Sequence, residues 1–202
     1  MRNNIKKIAA LLLILTMVFS LAGCGEIQKA ETTINQAFKA LKKLDFETAS
    51  NYINVDKMME SDDSTDIDSN FFAQNLFGKL ANRIISSEKI DNNTVTVKTE
   101  ITAVDMKPVL TEYVQKALQY TLANAFANPQ LSEEDSDKKM EEILVECISK
   151  EDLAMVTTEV DIKVIKTDKT WKIETSDELS NALLGGLVNA AEELSNFFDD
   201  IE

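Results

Sequence analysis

Any chemistry this 202-residue chain performs has to be sought first among two cysteines, 35 carboxylates and no histidine. The missing imidazole removes the commonest general base, the commonest neutral metal ligand and the usual pH switch together. A thiol acts as a nucleophile only when its thiolate is accessible. Cys147 sits in the apolar run Ile143-Leu144-Val145-Glu146-Cys147-Ile148, which predicts a buried structural thiol, whereas Cys24 follows the small residues Ala22 and Gly23. Paired carboxylates do acid–base work when one is held in an environment that shifts its pKa, and with so many acids coincidental pairs are inevitable. Asp62, Asp63, Asp66 and Asp68 invite a calcium reading. The spacing fails it, with Ile67 where an EF-hand loop needs glycine and Ala73 where the bidentate glutamate belongs, so the stretch reads as a solvated loop. The chain has no glycine-rich phosphate loop, serine elbow or Cys-x-x-Cys pair. No catalytic residue, cofactor site or metal site is assigned, and the reading is non-enzymatic.

Cys24 gains its meaning from what precedes it. Arg2, Lys6 and Lys7 lead into an apolar run from Ile8 to Leu15 that continues through Met17, Val18 and Phe19 to Ala22 and Gly23. This is the three-part layout of a signal peptide, and the run is too short for a comfortable span, which takes about 20 apolar residues. The tetrad Leu21-Ala22-Gly23-Cys24 resembles the lipobox of bacterial lipoproteins. That resemblance implies a diacylglyceryl group on the Cys24 sulfur, cleavage before Cys24, and attachment to the outer face of the cell membrane. The expected organisation is a signal peptide at 1–23, a lipidated tether at 24–30 and one domain at 31–202.

Without residues 1–23 the chain keeps 179 residues, enough for one domain with a real core. The leader holds three basic and no acidic residues, so its loss leaves 18 basic against 35 acidic side chains, a net charge of −17. Such a chain is expected to repel nucleic acid and anionic headgroups. With Cys24 committed to lipid, Cys147 is unpaired and no internal disulfide can form.

The elements follow from periodicity. Ile34, Ala37, Phe38, Leu41 and Leu44 predict a helix from about Ala30 to Leu44, with a short second helix over Phe46 to Ile53. Phe71, Phe72, Leu76, Phe77 and Leu80 predict a helix ending near Arg83, whose aromatic residues read as core packing. Val95, Val97, Thr99, Ile101 and Ala103 alternate with polar neighbours, giving a one-faced strand whose hairpin partner is Ile84 to Ile90. Asp105 and Pro108 open a long helix carrying Leu110, Tyr113, Val114, Ala117, Leu118, Thr121, Leu122, Ala125 and Phe126 on its apolar face. Another helix starts at Ser132. A second hairpin follows, with Val156 to Val164 turning at Thr167-Asp168-Lys169 into Trp171 and Ile173. The last helix is predicted to open in a capping box from Thr175 to Glu178 and to run through Gly185-Gly186, as a kink or a close approach to the sheet. Its end, residues 190–202, outruns a small sheet and reads either as core packing or as a partner or self-association surface.

Hairpins and one-faced strands define an α+β class, an antiparallel curved sheet built from two hairpins and packed against helices. The phrases Ile-Asp-Asn-Asn-Thr-Val-Thr-Val at 90–97 and Asp-Lys-Thr-Trp-Lys-Ile at 168–173 add a resemblance to uncharacterised bacterial lipoproteins with a nuclear-transport-factor-2-like, or cystatin-like, fold. That fold implies a cone whose cavity serves ligands, catalysis or dimerisation. Three functional classes result. The first is a non-catalytic module at the cell surface that binds an apolar small molecule or an envelope protein. The second is an accessory subunit of an envelope complex, using the acidic surface and the last helix. The third, a hydrolase or isomerase with a carboxylate or Tyr113 in the cone, ranks last for want of histidine. The partners are then the membrane, through the N-terminal lipid, and one such molecule, with no nucleic acid.

Overall fold

The computed structural model describes residues 24–55, 69–126 and 132–199. Helices α1 (Cys24–Lys42), α2 (Phe46–Ser50) and α3 (Ser69–Phe77) precede strands β1 (Ala81–Lys89) and β2 (Thr94–Val104). Helices α4 (Met106–Ala125) and α5 (Glu133–Ile148) lead to β3 (Met155–Thr167) and β4 (Thr170–Ile173), and α6 (Asp177–Leu183) and α7 (Leu187–Asp199) close the chain. The four strands form one antiparallel sheet in the order β1-β2-β3-β4, with Thr94 opposite Ile165 and Val104 opposite Met155 at the two ends of the central pair.

The sheet is two-faced as its alternation requires. Val95, Val97, Thr99, Ile101, Ala103, Val160, Ile162, Val164, Trp171 and Ile173 line one face, and none is more than 7% exposed. Helices α1 and α6 cover them. Across the other face Lys98 pairs with Glu159 at 3.2 Å and Thr102 meets Thr157 at 2.9 Å. A bulge between Ile84 and Ser86 turns Ile85 outward on β1.

Several boundaries differ from the sequence expectation. No tether occupies 24–30, because α1 begins at Cys24; Ala30, fully buried, and Ile27, packed on the core, carry its apolar stripe back to the first turns. The helix ends in a Schellman turn, Asp45 N donating to Ala40 O at 3.0 Å and Leu44 N to Leu41 O at 2.9 Å, which puts Leu44 at φ 58. Asp45 then caps α2 by accepting from Thr48 N. Helix α3 stops at Phe77, so β1 starts at Ala81 and takes Arg83 into the sheet. Phe77 is fully buried edge-to-face on Phe46, so the aromatic helix is core. Ser176, one residue later than expected, caps α6 because its hydroxyl reaches Leu179 N at 3.2 Å.

The predicted last helix is two helices. Gly185 N donates to Ala182 O and Gly186 N to Asn181 O, a second Schellman turn, with both glycines at positive φ. Gly185 is also a close approach, because its carbonyl accepts from Met106 N at 2.9 Å.

Candidate functional site

The start of α1 is locked to the edge strand by side chains at helical spacing. Glu26 pairs with Lys89, Ser87 donates to Glu31 at 2.7 Å, and Asn82 donates to Asn35 at 2.8 Å. The Lys89 ammonium holds the Glu26 carboxyl below its ordinary pKa, with Lys166 and Lys29 adding to the effect. Both hairpin turns lie at this same end, since Lys166 N donates to Asn93 O at 2.7 Å across them. Cys24 is the first residue of α1; Leu21, Ala22 and Gly23, with the acidic loop containing Asp62, Asp63, Asp66 and Asp68, lie outside the described residues.

At the other end of β2 the chain leaves the sheet into α4 and α5, an antiparallel arm whose main contacts are with each other, α3 and α7. The expected apolar face of α4 is covered only over its first half. Leu110, Tyr113, Val114 and Ala117 on it are half-buried, while Leu118 is 56%, Leu122 54% and Phe126, at the C-cap, 89% exposed at steps of four residues. An amphipathic period states which residues share a face, and here no element of the described fold covers the far part of that face.

Four charges clasp the near part of the arm. Glu112 bonds Lys150 and, at 2.9 Å, Lys116, which also holds Glu146 at 2.8 Å. Lys150 and then Lys116 keep the Glu112 carboxyl below its usual range, and Lys116 does the same for Glu146. A folded pKa below the unfolded one contributes stability above the ordinary glutamate value, about 4.3, and loses it as pH falls through the folded value. Amide protection in α4 and α5 is therefore expected to be steady from neutral pH to about 5 and to drop below about 4, ahead of the central strands. Loss of protection in arm and sheet together would show that the clasp contributes nothing, as exposed pairs often do.

Cys147 is buried and unpaired on α5, and burial pushes its thiol pKa up. Burial also raises Tyr113, so both groups stay protonated at neutral pH and neither is a ready nucleophile. Among the described residues no group of three acids, cysteines or histidines is placed to hold a metal. The sheet's inner face is filled by packed side chains, so the apolar chamber expected inside a cone is not found there. The described residues instead form open surface clefts, one of about 840 Å³ along α4 between Lys107 and Gln119, another beside the start of α1. The expected partner surface at 190–202 is partly used: Ala190 is buried, Glu193 binds Lys107 at 2.6 Å, and α7 lies on α4. Residues 200–202 lie outside the described residues.

No helix among the described residues is long and apolar enough to cross a membrane. The chain matches no protein-family model and no curated protein. A similar solved structure is that of a candidate lipoprotein, ycdA, of Bacillus subtilis, at 18% identity and a TM-score of 0.41. The match covers 58% of this chain and 35% of that one, so the chain spans about a third of the length of the protein it resembles.

Proposed function

We propose that the chain is a lipoprotein precursor whose residues 1–23 leave as a signal peptide. Cys24 then carries the lipid, and the nuclear-transport-factor-2-like α+β domain is a non-catalytic protein-interaction module on the extracytoplasmic face of the cell membrane. The observation that carries the interaction reading is the stripe of Leu118 and Leu122 on α4 with Phe126 at its C-cap. Exposing three large apolar side chains in line on an arm costs solubility unless a partner covers them. The partner this suits is an envelope protein offering an apolar groove to a helix face. The small-molecule alternative loses support from the filled inner face of the sheet.

The test places a photo-crosslinking residue at Thr121, beside the stripe and exposed, in the membrane-anchored chain. One discrete adduct is expected, and Leu122→Glu should abolish it while leaving the melting temperature within a degree or two, since Leu122 is already largely in water. No adduct, or one indifferent to Leu122→Glu, would remove the arm as the working part.

A further inference from the structure

Acids outnumber bases 35 to 21 in this chain, yet the cleft beside the first turns of α1, about 820 Å³, is lined by Lys29, Lys169 and Lys172 and by no carboxylate. The three lysines come from segments far apart in sequence. Helix α1 supplies Lys29 next to Gly25, and the β3–β4 hairpin supplies Lys169 and Lys172 on either side of Trp171. All three are exposed, and among the described residues none forms an ion pair, whereas Lys89, Lys98, Lys107, Lys116, Lys138, Lys139 and Lys150 each do. The neighbouring acid Glu26 is taken by Lys89. Asp168 lies in the turn and does not line the cleft. Tyr52 adds a hydroxyl to the same wall. Unpaired cations and a hydroxyl around one opening suit a phosphate.

We propose that this cleft takes the phosphate groups of anionic phospholipids, so that the anchored domain sits with its two hairpin turns toward the bilayer. The proposal rests on the reading of Cys24 as the lipid site, because Gly25, the next residue, lines the cleft and a lipid at Cys24 would hold the opening at headgroup depth. Surface lysines attract anionic headgroups locally even on a chain that is acidic overall, because salt confines each field to about 8–10 Å. Exposed Ile90, at the same end in the β1–β2 turn, provides an apolar contact.

The test supplies its own tether and so separates this proposal from the anchor reading. The described core side chains fall between residues 30 and 190, so a chain beginning at Cys24 retains them all. Its Cys24 thiol can be coupled to a maleimide lipid in vesicles, with buried Cys147 spared. Trp171, the single tryptophan, lies in the cleft wall and reports occupancy. Spin-labelled phosphatidylglycerol is expected to quench it, and spin-labelled phosphatidylcholine at equal density is not. Lys169→Gln and Lys172→Gln should each lower that occupancy about fivefold, whereas Lys42→Gln with Lys43→Gln, exposed at the far end of α1, should leave it unchanged. Equal quenching by both lipids, or equal loss in both sets of variants, would overturn the proposal. So would a fluorescence response to dissolved glycerol phosphate without one to the vesicles, which would assign the cleft to a soluble phosphate.

Discussion

Gly185→Ala is expected to destabilise the domain by on the order of 3–5 kcal/mol, while Gly186→Ala costs about 1–2 kcal/mol. Both glycines have positive φ, 61° and 81°, so both substitutions carry the strain of a left-handed alanine. They differ in surroundings. A Cβ on Gly186 meets open space, but one on Gly185 would lie 1.7 Å from Val104 O and 2.9 Å from its carbonyl carbon. That oxygen is backbone at the junction of β2 and α4, where Asp105 N is already bonded to Ala154 O at 2.8 Å and Met106 N to Gly185 O. Relief therefore requires moving a strand end, three hydrogen-bonded segments and the cap of α4 together. Against a total stability of about 5–15 kcal/mol, the loss would leave a variant that unfolds easily. Urea midpoints of the two variants decide the matter. Equal losses would mean that conformational freedom alone explains the pair and that the close contact is absent.

The same pair shows how far the chain could be read in advance. Glycine inside a helical pattern signalled either a kink or a close approach, and the structure uses both, because the turn needs positive φ and the sheet end needs room. Strand β2 was legible because one face is buried and the other is wet, which writes a period of two into the residues. The chain class and the hairpin turns followed from that. What resisted reading depends on contacts distant in sequence. The first turn of α1 is helical where a tether was expected, since Ile27 packs on the core and Glu26 meets Lys89 on β1. The apolar face of α4 was legible and its lack of cover was not, because periodicity identifies a face without identifying its cover. Lys29 and Lys172 are 143 positions apart, and an overall charge of one sign concealed the patch of the other sign that folding assembles.

Cys24→Ser should move the protein from the membrane fraction to the soluble extracytoplasmic fraction almost completely. Each buried methylene contributes about 0.8 kcal/mol, so a single acyl chain attaches only marginally and two attach firmly; a serine accepts neither through a thioether. The three lysines of the cleft cannot substitute, since about 1 kcal/mol each near an anionic surface falls well short of two acyl chains. Because α1 starts at Cys24 with its first turns fastened to β1 through Glu26, Glu31 and Asn35, the substitution changes the anchor without loosening the domain. The released protein should therefore keep the parent's urea midpoint. One complication has its own signature: a precursor that escapes cleavage stays bound through its apolar leader, and its mass exceeds that of the mature chain by residues 1–23. Retention of a serine variant whose mass shows the leader removed would refute lipid attachment at Cys24. Release with an unchanged midpoint would assign membrane residence to that one sulfur.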